Sequence, residues 1–223
     1  MTGNVDSLRP RPLENGPLGY YWFLTFDHAS ELHSRIKECQ QAIDPAYFKT
    51  TPIDGLHLTL DRISRPYTCT FEQRAAIAVA AQRACRNLRP FSLSVDRLTN
   101  IRGAIGFVIS PAAPVTELRD ALRAATTSVL PQASLEESVS DPHVTIADPV
   151  FEGLEEMAAA AAATAGTTLH GFDVVTTEAA LVSLELRDNS YTWDVIERIE
   201  LGRGSRSRLA EAGFPVMRRR PFP

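Results

Sequence analysis

Apolar positions along this chain recur in two rhythms, and the rhythms alternate. Tyr20–Phe26 is an aromatic, β-prone run that reads as a strand. Ser30 to Ile43 places Leu32, Ile36, Cys39 and Ile43 at helical spacing. Gly55–Ile63 alternates with period two, so Leu56, Leu58 and Leu60 share one face of a strand and polar groups the other. Thr70 opens a helix that runs to about Leu88 and stops before Pro90; Gln73, three residues on, completes a capping box. Phe91–Leu98 alternates again as a strand. The second half follows the same order. Ile105–Ser110 is a strand, Pro114–Leu130 a helix with Leu118, Leu122 and Ala125 on one stripe, and Pro142–Ala147 a strand. Leu154–Ala165 is an alanine-rich helix ended at Gly166. Strands at Phe172–Thr177, Ala179–Arg187 and Tyr191–Leu201 follow, the last two joined by a turn at Asp188-Asn189.

Each half therefore reads strand, helix, strand, helix, strand. Phe23 precedes His57 by 34 residues and Phe107 precedes His143 by 36, a match in order and spacing that points to internal duplication about a pseudo-twofold axis. The expected organisation is one domain over residues 19–202, with lobes at about 19–100 and 101–202. A flexible segment, 1–18, precedes it and a basic, disordered tail, 203–223, follows.

Charge narrows the class of partner. The 223 residues carry a net −4, but six arginines against Glu211 give the tail +5, which leaves −9 on the body. A body this acidic disfavours an extended nucleic-acid groove and leaves room for a small anion in a local pocket. Three cysteines, Cys39, Cys69 and Cys85, form no C-x-x-C pair and suit free thiols in a reducing compartment. There is no membrane-length apolar run and no apolar signal core, so a cytoplasmic, monomeric protein is expected.

Chemistry concentrates in two short strands, His57-Leu58-Thr59-Leu60 and His143-Val144-Thr145-Ile146. Alternation puts each His and Thr on one face, about 7 Å apart, with the aliphatic residues in the core. Two imidazoles that titrate near neutral pH can share the work of general base and general acid around one phosphorus. Two threonine hydroxyls can donate to its non-bridging oxygens. Neither step needs a metal, and a His–His metal site would lack a third ligand beyond Asp141 or Asp148.

These motifs, the two-lobe order and the closing segment 181–202 resemble the 2H (two-histidine) phosphoesterase superfamily, the 2′,5′ RNA ligase-like and cyclic phosphodiesterase proteins. The resemblance implies a bilobal α+β fold of duplicated strand-helix-strand-helix-strand units, with two antiparallel sheets around a central cleft and both motifs on its floor. It implies a hydrolase, without cofactor or metal, that opens a 2′,3′-cyclic nucleotide phosphodiester to a 2′-phosphate. His57 and His143 would be the acid/base pair and Thr59 and Thr145 the phosphate donors, with His143 activating water and His57 protonating the leaving oxygen. The expected partner is a small nucleotide or an RNA-terminal cyclic phosphate. The alternatives are 2′,5′ RNA ligation or RNA-end processing, and a non-catalytic module that binds a cyclic nucleotide or a 2′-phosphate.

Substrate contacts are expected from Tyr21, Arg62, Arg102 and Tyr191, with Arg65 and Arg187 as further candidate cations. Two features depart from the family pattern. Ala147-Asp148 follows the second motif where a basic residue is common, and Asp61 follows the first, where an acid near the cleft would weaken binding of a polyanion. His28, His33 and His170 read as surface or capping groups.

Overall fold

A computed structural model describes residues 9–11, 14–133, 141–166, 171–188 and 190–202. The tail 203–223, His170 and Asn189 lie outside the described residues. The chain forms β1 (Gly16–Thr25), α1 (Ser30–Gln41), β2 (Phe48–Thr50), β3 (His57–Ser64), α2 (Phe71–Cys85), β4 (Phe91–Ile101) and β5 (Ala104–Ser110). It continues through α3 (Ala112–Val129), β6 (His143–Pro149), α4 (Glu155–Ala165), β7 (Phe172–Thr176), β8 (Glu178–Arg187) and β9 (Ser190–Glu200). The capping box of α2 is made as the sequence predicts. Gln73 N–H donates to Thr70 Oγ1 at 3.2 Å, and Thr70 N–H donates to Gln73 Oε1 at 2.8 Å.

Two antiparallel sheets result, one in the order β3-β1-β8-β9 and the other β2-β6-β5-β4-β7. They correspond element for element: β3 to β6, β1 to β5, β8 to β4 and β9 to β7. The lobes do not divide at residue 100, because the two halves exchange their third strands. β4 pairs with β5 in the second sheet, and β8 pairs with β1 in the first. Helices are exchanged as well: α3 packs on β3 and α2, whereas α1 packs on β6 and α4. Element order reveals the repeat, but it carries no information about which partner each third strand takes.

The main core lies between the sheets and their helices. Trp22, Leu24, Leu58, Leu60, Leu118 and Leu122 are buried there, and Trp22 Nε1–H donates to Thr126 Oγ1 at 3.0 Å. The opposite face of the first sheet holds a smaller cluster of Phe23, Ala180, Val182 and Leu184, edged by Tyr21, Tyr191 and Trp193.

Of the segment 1–18 that the sequence reads as flexible, residues 9–11 and 14–18 are described, and several of these make main-chain contacts. Arg11 N–H bonds Val150 O at 3.1 Å, Glu152 N–H bonds Arg9 O at 2.9 Å, and Gly16 and Pro17 already pair with Leu186 and Glu185. Gly19 lets β1 pass close to its neighbour: its φ is +121°, and a Cβ there would lie 2.1 Å from Ser64 O. The three cysteines are buried and free, and burial pushes the Cys39 and Cys85 thiols up to about 11.

Candidate functional site

His57 and His143 begin β3 and β6, and their backbones hold them in the same way. His57 Nδ1 lies 2.8 Å from Gly55 O, and His143 Nδ1 lies 2.8 Å from Asp141 O. A carbonyl only accepts, so each Nδ1 carries its proton, and in the neutral ring the lone pair falls on Nε2. The residue two positions upstream thus selects the tautomer of each imidazole through a main-chain atom.

Both strands also contain a one-residue irregularity just after the H-x-T triplet. In β3 the register passes from Phe23↔Thr59 to Trp22↔Asp61, leaving Leu60 as the extra residue. In β6 it passes from Gly106↔Thr145 to Ile105↔Ala147, leaving Ile146. Such a bulge reverses the alternation of every residue beyond it. Asp61 is therefore turned into the helix layer, 5% exposed, where Arg123 of α3 holds it bidentately at 2.8 and 3.0 Å. The acid that the sequence placed near the cleft is neutralised on the other face. The same reversal brings Arg62 to the cleft face, opposite Tyr21 in register and 5.7 Å over its ring, with a bond from Nη2 to Leu18 O at 3.4 Å. On β6 it brings Asp148 to the equivalent position.

The surroundings of the histidines differ. His57 stacks on the fully buried Phe23, with centroids 4.1 Å apart and planes at 16°, and Trp193 meets both rings edge-on. Burial lowers the His57 pKa from its ordinary 6.5; the bond to Gly55 opposes this and the nearby charge of His143 adds to it. The two imidazoles are thus close enough to feel each other across the junction where β3 approaches β6.

His57 and Thr145 share one end of the cleft with Lys49–Pro52, Asp148, Ser190 and Tyr191, around a space of about 90 Å³. Lys49 Nζ donates to Asp188 O at 2.5 Å. Burial raises the Asp148 carboxyl, with Arg11 acting against it; burial and Asp148 together raise the Tyr191 phenol. Thr59 is exposed and pairs with Phe23, on the same face as His57. The structure therefore gathers His57, Thr59, His143, Thr145, Tyr21, Arg62 and Tyr191.

Arg102 is not brought to the site. It occupies the β4–β5 turn, at φ +52°, where Gly103 N–H bonds Asn100 Oδ1 at 2.7 Å. Val108, the partner of His143, lies six residues away along β5, roughly 20 Å at the rise of a strand. Arg187 pairs with Glu185 on β8, and His33 Nε2 lies 2.7 Å from Phe26 O. Sequence reasoning missed the contribution of Phe23 and Lys49 and left Trp193, like Tyr191, open between core and substrate contact. Phe23 shares the Tyr21 face in the alternation, which was the available signal; Lys49 is the middle residue of a three-residue strand too short to leave a pattern. Among the described residues no group of three or more His, Cys, Asp or Glu is placed to hold a metal ion, and no helix is long and apolar enough to cross a membrane.

The family model described as the 2'-5' RNA ligase superfamily matches residues 25–179. The fold is that of TT0787 from Thermus thermophilus, at 20% identity and TM-score 0.62, covering 83% of this chain and 98% of that one. It is also that of Escherichia coli LigT in complex with 3'-AMP, at 16% identity and TM-score 0.63, covering 83% and 99%. No curated protein matches the chain in sequence.

Proposed function

The chain belongs to the 2'-5' RNA ligase superfamily, and on that premise we propose that it is a metal-independent phosphoesterase that opens a 2′,3′-cyclic nucleotide phosphodiester to a 2′-phosphate. The observation that carries this reading is the pair of imidazoles, each locked by a main-chain carbonyl into the tautomer that presents Nε2. A solved relative holds 3'-AMP, a nucleotide of the size this cleft would take.

The environment of His57 favours its neutral form, so His57 is the general base and His143 the general acid. This reverses the assignment expected from the sequence. His57 Nε2 takes a proton from water as its oxygen attacks phosphorus. The bond from phosphorus to the 3′ oxygen breaks, and that oxygen takes a proton from His143. Charge builds on the non-bridging oxygens, where Thr59 and Thr145 hydroxyls donate to them. Arg62 supplies the cation that the second motif lacks.

The test is incubation of the purified protein with 2′,3′-cyclic nucleotides in EDTA, alongside His57→Ala and His143→Ala. Turnover to the 2′-phosphate is expected from the wild type in EDTA and from neither variant. Turnover that EDTA abolishes, or that survives both substitutions, would overturn the mechanism. Formation of a 2′,5′ linkage when an RNA 5′-hydroxyl is added, without hydrolysis in its absence, would reassign the protein to ligation.

A further inference from the structure

We propose that the cleft takes its phosphodiester in one direction only, with the anionic remainder of the nucleotide over Arg62 and Arg65 and an uncharged, hydrogen-bond-donating end at Asp148. This inference rests on the phosphoesterase reading above and names the part of the substrate that each arm receives.

The argument starts from the two bulges. They set Arg62 and Asp148 at equivalent positions, each five residues beyond its histidine and each turned to the cleft face. Each also faces the segment that leads into the other motif. Arg62 lines a space with Val129–Ala133, which precede His143; Asp148 lines one with Lys49–Pro52, which precede His57. The internal repeat relates these two spaces, one lying beyond each motif. With identical ends, two H-x-T arms would accept a phosphodiester equally well in either sense.

The ends differ in size and in charge. The Arg62 end spans about 560 Å³ and is lined also by Arg65, Thr68 and Gln73, with no carboxylate among its described lining residues. That volume falls within the ~300–1,000 Å³ of small-molecule sites. The Asp148 end, at about 90 Å³, equals the liquid volume of only about three waters at ≈ 30 Å³ each. It has room for a sugar hydroxyl. The charged groups at this small end are Asp148, Lys49 and Arg11, and Lys49 is held by the Asp188 carbonyl. Among the described residues no donor bonds the Asp148 carboxylate. A half-buried carboxylate without a donor favours a ligand hydroxyl or amine and disfavours a phosphate. At the other end Arg65 is exposed and stands beside Arg62, two guanidiniums where a further phosphate would lie.

Calorimetric titration with adenosine 2′-monophosphate and adenosine 2′,5′-bisphosphate tests the direction without needing turnover. The wild type is expected to bind the bisphosphate about tenfold more tightly at low salt. Arg65→Glu is expected to abolish that preference, and Asp148→Asn to weaken both ligands in equal proportion, with circular dichroism confirming that each variant is folded. A wild type without the preference, a preference that survives Arg65→Glu, or an Asp148→Asn variant that binds both ligands as the wild type does overturns the inference. If His57→Ala and His143→Ala abolish turnover while both ligands bind the wild type equally, the direction fails and the phosphoesterase reading stands. A wild type that binds neither ligand overturns both.

Discussion

β3 and β6 share a backbone and differ in what surrounds it. Both begin with a histidine whose Nδ1 is held by the carbonyl two residues upstream, both place a threonine two residues on, and both slip register at the next position. Yet His57 lies on Phe23 beneath Trp193, whereas the bond of His143 to Asp141 is exposed. Beyond the slip stands Arg62 on one strand and Asp148 on the other. A duplicated backbone thus delivers two equivalent reactive nitrogens, and the side chains around it make them unequal. Acid/base catalysis needs that inequality, since one imidazole must be neutral when the other is charged.

The largest expected effect separates the two strands directly. His57→Gln and His143→Gln should each lower kcat/KM by about 10³-fold, within the range for a lost acid or base. Their residual pH profiles should differ. Loss of the base removes the acidic limb in His57→Gln, and loss of the acid removes the alkaline limb in His143→Gln. The same missing limb in both variants would break the assignment of roles.

The next effect concerns the bulge. Asp61 is buried and its charge is met by Arg123, so Arg123→Ala leaves an uncompensated buried carboxylate. A loss of about 3 kcal/mol in urea unfolding is expected, about a hundredfold in the folding equilibrium. Asp61→Asn, by contrast, should leave KM for a cyclic nucleotide within about twofold, because the bulge turns this residue away from the cleft. A marked fall in KM would return Asp61 to the site. The threonines should come lower still: Thr59→Val and Thr145→Val are each expected to cost about tenfold to a hundredfold in kcat with little change in KM.

How much of this was legible follows from the kind of signal each feature leaves. His57-x-Thr59 and His143-x-Thr145 are local patterns, and strand alternation suffices to put each pair on one face. The Thr70–Gln73 box is equally local, and so is the division of the first strand into a Trp22 face and a Tyr21 face. A bulge leaves no such trace. Strict alternation carries Asp61 to the cleft and Arg62 to the core, and the single extra residue at Leu60 exchanges them. The third-strand exchange is invisible for another reason: β4 and β8 have the same pattern whichever sheet they join. Arg102 was placed by its charge alone, and the hairpin register that carries it away from His143 is a long-range property. Likewise the tie of Arg9 and Arg11 to residues 150–152 is a main-chain contact that side-chain composition does not report.

The smallest expected effect probes the source of the inequality itself. Burial against Phe23 is the largest cause lowering the His57 pKa. Phe23→Leu keeps an apolar contact at a cost of about 1 kcal/mol but admits water beside the ring, so the pKa should rise back towards 6.5. His57 as base works only when neutral; the acidic limb of kcat/KM should therefore move to higher pH. Activity at pH 6 should fall relative to activity at pH 8, while the alkaline limb stays in place. Stability supplies an independent reading of the same group. In the wild type the folded pKa lies below the unfolded one, so the unfolded chain binds more protons between the two values. This contribution is complete above pH 6.5 and is lost as the pH falls towards the folded value. In Phe23→Leu the window narrows and the stability curve flattens below pH 6.5. An acidic limb that stays fixed while the stability curve flattens would mean that His57 is buried as described but is not the base.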